Sequence, residues 1–148
     1  MRALLQRVRE AEVRVGGQVR GRIGRGILVF LGCRKGDDPA LARGLAERCA
    51  RYRIFEDETG RTQLDLARAG GDLLVISQFT LVADTRKGLR PSFDPALPPG
   101  EARECLAAFV ERLRELGHRV EEGEFGASME VRLVNDGPAT YLLDTDRG

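Results

Sequence analysis

The sequence predicts a single α/β domain over residues 1–148, built on a mixed, largely antiparallel β-sheet with two main α-helices. Three observations predict it. The runs at residues 27–31 and 73–76 are unbroken apolar stretches of strand length; a half-buried strand would alternate, so these read as strands covered on both faces. Two further stretches, opening at Asp38-Pro39 and at Pro98-Pro99, repeat apolar residues at helical spacing. A chain of 148 residues, 42% hydrophobic and 32% charged, suits one domain with a true core.

Residues 3–15 mix Leu, Val and Ala with Arg and Glu, and Val13-Arg14-Val15 alternates cleanly. Gly16-Gly17 then separates them from Gln18-Val19-Arg20, which marks a β-hairpin. Gly21, Gly24 and Gly26 read as turns and bulges, since their spacing is not a dinucleotide fingerprint and they do not lie between a strand and a helix. Asp38 is the expected N-cap and Pro39 the first residue of a helix whose inner stripe is Leu41, Leu45, Cys49 and Tyr52. Arg53-Ile54-Phe55 reads as a short strand, with turns at 56–60 and 69–71. The strand at 72–81 follows; alternation would put Ser77 and Phe79 on one face and Gln78 and Thr80 on the other unless the strand twists or bulges. A polar loop spans 84–93, where Arg86, Lys87 and Arg90 supply three cations that could meet phosphate or sugar, or simply water. The second helix buries Leu106, Phe109, Leu113 and Leu116 and stops at Gly117. Strands are expected at 118–121, 129–134 and 140–143, with a turn at Asn135-Asp136-Gly137-Pro138, where proline cannot donate to a ladder.

Composition narrows the function. No apolar run approaches the ~20 residues of a membrane helix, and charge returns too soon after Met1 for a secretory signal; a cytoplasmic protein with no membrane contact is expected. Cys33, Cys49 and Cys105 form no Cys-x-x-Cys pair, and His118 is the sole histidine. No zinc set can be assembled from them, so no metal and no cofactor are expected, and the thiols read as small core residues. The net charge of +1 hides an asymmetry. Residues 1–35 hold nine Lys/Arg against two Glu, and residues 101–148 six Arg against eleven Asp/Glu. Either the basic segment offers a polyanion a positive face or its arginines are solvated surface, and the sequence leaves both open.

The end of the 72–81 strand carries the chemistry. Polar groups leaving a core strand must be paired, at a cost of about 1–3 kcal/mol each if they are not. Ser77, Gln78 and Thr80 therefore either satisfy local backbone or line the floor of a site. A Ser-His-Asp arrangement needs a base, and His118, between Gly117 and Arg119 just past a helix end, looks solvent-facing. What remains for cleaving an ester is backbone N–H near Phe79 and Thr80 acting as an oxyanion hole, with the hydroxyls and Gln78 positioning the substrate.

Taken together, Gln6-Arg7-Val8, Tyr52-Arg53-Ile54-Phe55, Ser77-Gln78-Phe79-Thr80-Leu81, the loop from Ala83-Asp84-Thr85 to Arg90-Pro91-Ser92-Phe93, Phe125-Gly126-Ala127-x-Met129 and Val134-Asn135-Asp136-Gly137-Pro138 resemble the bacterial-type D-aminoacyl-tRNA deacylase family. The likeness runs in the family's order from residue 6 to residue 140. It implies that family's three-layer, barrel-like fold and a homodimer with active sites at the subunit interface. It implies hydrolysis of the ester at the 3′ end of D-aminoacyl-tRNA, and of wrongly attached glycine, while L-aminoacyl-tRNA is spared. Gly137-Pro138 would be cis and reach into the partner's site, where its carbonyls exclude an L side chain. Arg7, Phe125 and Met129 would join it in holding substrate. The Phe79 N–H would face the scissile carbonyl beside Ser77, Gln78 and Thr80. Thr80 would be the nucleophile in one version; in the other, which the shortage of bases favours, the tRNA 2′-OH does the proton work. Ala139, Ser128 and Gln63 depart from the usual Val, Asp and Asn and bear on fine selectivity. Two competing expectations are a non-catalytic nucleic-acid-binding module using the basic N-terminal segment, and a serine or threonine hydrolase of small esters that needs no RNA.

Overall fold

Arg2–Val15 form β1, and both edges of this strand are used. The structure is a computed structural model and describes residues 1–147. Along one edge, β1 pairs antiparallel with β2 (Gln18–Ile23) through residues 11–15 and with β3 (Gly26–Gly32) through residues 2–8. Along the other it pairs antiparallel with β8 (Glu130–Asp144) over nearly its whole length. A first crossover carries α1 (Pro39–Arg51), the small β4–β5 hairpin (Phe55–Glu56, Thr62–Leu64) and the single turn α2 (Leu66–Ala69). It leads to β6 (Asp72–Ser77), parallel to β3. A second crossover, with α3 (Pro99–Glu115), leads to β7 (Val120–Glu122), parallel to β6. β2 curls over to touch β6 and β7, so this six-stranded mixed sheet nearly closes into a barrel beside three helices.

Alternation along the strands divides the core. Ile27, Val29, Leu31, Leu73 and Val75 face α1 and α3, where Leu45, Cys49, Phe109 and Leu113 cover them. Leu28, Leu74 and Ile76 point the other way, into a second cluster with Val8, Ala11, Val13 and Ile23. β3 and β6 are therefore buried on both faces, as their unbroken apolar runs predict. Gly26 lets the two strands meet: a Cβ there would lie 1.9 Å from the Asp72 carbonyl oxygen. α1 is capped as expected, the Leu41 N–H donating to Asp38 Oδ1 at 2.7 Å, a contact that stabilises by about 1 kcal/mol.

Several expectations are corrected. The strand at 72–81 ends at Ser77, and Phe79–Val82 wind into a 3₁₀ turn. β8 runs unbroken through Asn135-Asp136-Gly137-Pro138, which forms a bulge and not a turn between two strands. Gly21 sits inside β2 beside a register slip between Gly21 and Val19, so it marks a bulge, one of the two expected alternatives, and not a turn. The hairpin strand β5 and the turn α2 have no counterpart in the apolar pattern. Leu41 and Leu116 are exposed. The buried face of α1 is instead Ala42, Leu45, Ala46, Cys49 and Ala50, because alanines let α1 and α3 pack closely, and a stripe drawn through the larger side chains misses them.

Ion pairs between the basic N-terminal and the acidic C-terminal segments offset part of the charge asymmetry. Arg2 and Arg34 bind Asp144, Arg34 also binds Asp146, Arg7 binds Asp136 and Arg20 binds Glu124. Part of the basic segment is thus neutralised by the acidic one. No helix among the described residues is long and apolar enough to cross a membrane.

Candidate active site

Ser77 leaves β6 level with Leu31 of β3, and the Gln78 N–H donates to the Leu31 carbonyl at 2.7 Å. Gln78 then abandons strand geometry (φ −144°, ψ 77°) and the 3₁₀ turn begins. The Leu81 N–H donates to the Gln78 carbonyl at 3.1 Å. The N–H groups of Phe79 and Thr80 precede it and have no carbonyl three residues back inside the turn. Two consecutive main-chain donors therefore stand beside Ser77. The turn also removes the alternation problem, since residues 77–80 no longer follow a strand.

The turn is clamped from behind. A Cβ on Gly32 would lie 2.8 Å from the Gln78 carbonyl oxygen and 3.0 Å from Val82 Cγ1, so the approach to β3 requires glycine. Arg2 donates to the Leu81 carbonyl at 3.1 Å and to Asp144 at 2.9 Å. Burial alone would raise the Asp144 carboxyl, but hydrogen bonds from Arg34, the Asp146 backbone and Arg2 outweigh it and hold the group well below the usual carboxylate range.

In front of the turn lies a mainly apolar cavity of about 400 Å³. It brings together Ser77, Gln78, Phe79 and Phe125, with Phe93 and Leu106 among the other walls. Phe79 is 58% exposed and meets Phe93 edge-on, ring centroids 5.1 Å apart. The Arg103 guanidinium sits 4.6 Å above the Phe125 ring. Cys33 also lines the cavity; burial pushes its thiol up to about 12, with Cys105 and Asp37 adding to the effect, so it is a wall and not a nucleophile at neutral pH. Thr80 is exposed, outside the lining, and its hydroxyl accepts a hydrogen bond from the Gln78 amide. An amide takes up no proton near neutrality, so that partner cannot activate Thr80 as a nucleophile. His118 lies beyond the far end of α3, roughly 15 Å past Leu106 at 1.5 Å per residue. Burial lowers its pKa, partly opposed by Asp65. Among the described residues no group of three or more His, Cys, Asp or Glu could hold a metal.

The other expected residues gather elsewhere. The Gly137–Pro138 peptide is cis and lies in the β8 bulge, where residues 136–139 stand opposite Arg7 alone. Both Gly137 and Pro138 are exposed. Arg7, 7% exposed, holds the bulge from beneath: Nε donates to the Asp136 carbonyl at 2.9 Å and Nη1 to the Ile54 carbonyl at 2.7 Å. Asn135 spans it, its amide donating to the carbonyls of Arg7 at 2.9 Å and Ala139 at 3.2 Å. Met129 packs against the second core cluster. Within one chain neither the bulge, Arg7 nor Met129 lines the cavity. Leu31, Cys33, Ala96, Leu97 and Ala102 do, alongside the first turns of α3, and only their core-like character is visible in the sequence.

A larger groove of about 660 Å³, lined by Arg9, Glu12, Arg22 and Arg132 among others, runs along β1, β2 and β8. Its Arg22 and Arg132 are paired with Glu12 and Glu130, and it contains none of the emergent hydroxyls.

Residues 4–144 match the family model described as D-Tyr-tRNA(Tyr) deacylase. A D-aminoacyl-tRNA deacylase of Thermomicrobium roseum is 56% identical over 98% of this chain and 94% of its own. One of Cronobacter sakazakii is 53% identical over 97% and 99%. Among solved structures, a c-Myc DNA unwinding element binding protein superposes with TM-score 0.91 at 36% identity, covering 98% of this chain and 99% of the other. A probable eukaryotic D-amino acid tRNA deacylase superposes with TM-score 0.83 at 18% identity, covering 96% and 97%, and shares the fold.

Proposed function

Because the chain belongs to the D-Tyr-tRNA(Tyr) deacylase family and is a hydrolase of the D-aminoacyl-tRNA ester bond, we propose that it draws the aminoacylated 3′ end of tRNA into the cavity at the end of β6 and cleaves the ester there without a protein base. What supports this is a turn whose first two N–H groups, those of Phe79 and Thr80, have no carbonyl partner inside it, next to a cavity lined by Ser77, Gln78 and Phe79 and by no histidine, lysine or carboxylate. The ester carbonyl oxygen lies against these donors, which stabilise the negative charge that develops as water adds; one such donor is worth about 10²–10³ in kcat. Ser77 and Gln78 orient the ester. The neighbouring 2′-OH of the tRNA relays the proton, which makes RNA a participant and explains how a site with no base works near neutrality.

Handedness is set by a second copy of the chain. Ser77 is level with Leu31, Ala3 and Leu143 across the sheet, whereas the bulge is level with Arg7, four residues along β1. Three strand spacings across and four residues along put Gly137 on the order of 20 Å from its own Ser77. The Gly137–Pro138 carbonyls therefore serve the cavity of the partner in a homodimer, where they clash with an L side chain and admit a D side chain or glycine. Arg7 and Asn135 position them, and Phe125 contributes a wall for the terminal nucleotide. Such an enzyme works where tRNA is charged, in the cytoplasm.

The test is release of tyrosine from D-tyrosyl-tRNA and glycine from glycyl-tRNA, with L-tyrosyl-tRNA spared; equal turnover of the two enantiomers ends the selector reading. Thr80→Ala is expected to retain measurable activity, and complete loss in a folded variant would return the nucleophile to Thr80. A nucleic-acid-binding module without catalysis is the second reading, favoured by the name of the 36%-identical structure; salt-dependent binding of uncharged nucleic acid with no ester cleavage would establish it.

A further inference from the structure

We propose that the loop standing between Asp84 and Ser92 grips the phosphates of the tRNA's 3′ strand through Lys87 and Arg90, an inference that rests on the deacylase reading and adds to it the contact that holds the RNA outside the cavity. The loop is closed at its base by paired main-chain bonds, Asp84 N–H to the Ser92 carbonyl at 2.8 Å and Ser92 N–H to the Asp84 carbonyl at 2.9 Å. Phe93, next in the chain, packs on Phe79 and lines the cavity. The loop is thus rooted on the rim through which the 3′ end enters.

Its charges are divided. Arg86 is occupied inside the loop, holding Asp84 in two contacts of 2.9 and 2.7 Å and keeping that carboxyl well below the usual range. Lys87 and Arg90 are exposed and have no ion-pair partner among the described residues, the nearest remaining acid along the chain being the exposed Asp94. Leu89, between them, is fully exposed and packs on nothing in its own chain. Two unpaired cations around an unsupported apolar tip do nothing for this fold, while a single strand of RNA offers phosphates for the first and ribose or base faces for the second. In the basic N-terminal segment, by contrast, Arg2, Arg7 and Arg34 are already paired with β8 and the residues after it.

The experiment compares the parent with Lys87→Gln/Arg90→Gln, both checked for equal melting temperature. Steady-state cleavage of D-aminoacyl-tRNA is followed from about 50 to about 200 mM salt, alongside D-aminoacyl-adenosine, which has no phosphate. The double variant is expected to show a raised KM with kcat retained. Its deficit should shrink about sevenfold across that salt range, the weight of two single-strand phosphate contacts, and disappear on the phosphate-free ester. The same KM and salt dependence as the parent, or an equal deficit on D-aminoacyl-adenosine, overturns the inference. If the parent cleaves neither ester, it is the deacylase reading that fails. Equal affinity of parent and variant for uncharged tRNA then overturns the loop contact as well, and weaker binding by the variant upholds it.

Discussion

The turn after β6 and the bulge in β8 both present main-chain atoms to solvent, yet they are held in place by opposite means. The turn is pressed onto β3 by close packing, with Gly32 leaving no room between backbone and backbone. The bulge is suspended on side-chain hydrogen bonds from Arg7 and Asn135, with only Ala139 of its residues buried. On the proposed reading, the turn's donor pair must not move when charge develops, and dense packing is what fixes it. On the same reading, the bulge as a gate needs only to keep its carbonyls in the way of one enantiomer. Substitutions in the two regions should accordingly damage different quantities, rate in one and discrimination in the other.

The largest effect is expected from Gly32→Ala. The added methyl would press on the Gln78 carbonyl at 2.8 Å and on Leu81 Cβ at 3.1 Å, and the neighbour is backbone, which cannot swing away. Overpacking of this kind costs about 1–3 kcal/mol, and a displacement of about 1 Å at the reacting centre is worth about 100-fold in rate. A loss of about 100-fold in kcat/KM for D-tyrosyl-tRNA is expected, with the ratio of D to L turnover little changed. A variant with parental kcat would show that the turn tolerates displacement and would break the contrast.

Gly137→Ala should give the reverse pattern. Its Cβ would lie 2.8 Å from Asn135 Oδ1, a side chain that yields, at the expense of its bonds to the Arg7 and Ala139 carbonyls. Turnover of the D-ester should fall no more than about tenfold, while discrimination against the L-ester drops by about 5- to 30-fold, the equivalent of about 1–2 kcal/mol of lost clash. Mixing this variant with Gly32→Ala sharpens the test. If the bulge serves the partner's cavity, mixed dimers contain one site with both defects and one with neither, so fast and selective cleavage returns. If each bulge served its own cavity, every mixed site would carry one defect and nothing would return.

The two regions were also unequally legible in the sequence. The unbroken run Leu73-Leu74-Val75-Ile76 followed by Ser77 and Gln78 marks a buried strand with polar groups at its end, because burial on both faces is written in composition alone. Where that strand stops is not written there: Phe79 and Leu81 continue an apolar pattern, and the break comes from contact with Gly32, forty-six residues away. Asn-Asp-Gly-Pro predicts a turn, because it is turn chemistry. The length of β1, whose partner β8 must match it across fourteen residues, is a tertiary fact that overrides the local signal. Composition makes Arg7 one basic residue among nine in the first 35, and only the family resemblance ties it to Gly137-Pro138; its place under the bulge follows from the register shift between Gln6 and Val8.

The smallest expected effect belongs to Asp144→Asn, which touches the turn at one remove. Asp144 orients Arg2, whose other contact is the Leu81 carbonyl at the back of the turn, and it also receives Arg34 at 2.6 Å. Removing hydrogen bonds to a charged group costs about 1.5–3 kcal/mol of stability at neutral pH. Packing against Gly32 should still hold the turn, so kcat is expected to fall only a few-fold. The pH dependence separates this from a general loosening. The folded carboxyl titrates below its unfolded value, so its stabilisation is fully present above about pH 3.9 and drains away as pH falls through the folded pKa. Thermal melts of parent and variant should therefore differ most near neutrality and converge as the pH is lowered below about 4. A gap that persists undiminished into acid would mean that Asp144 acts through shape and not through charge, and that Arg2 is held at the turn by something else.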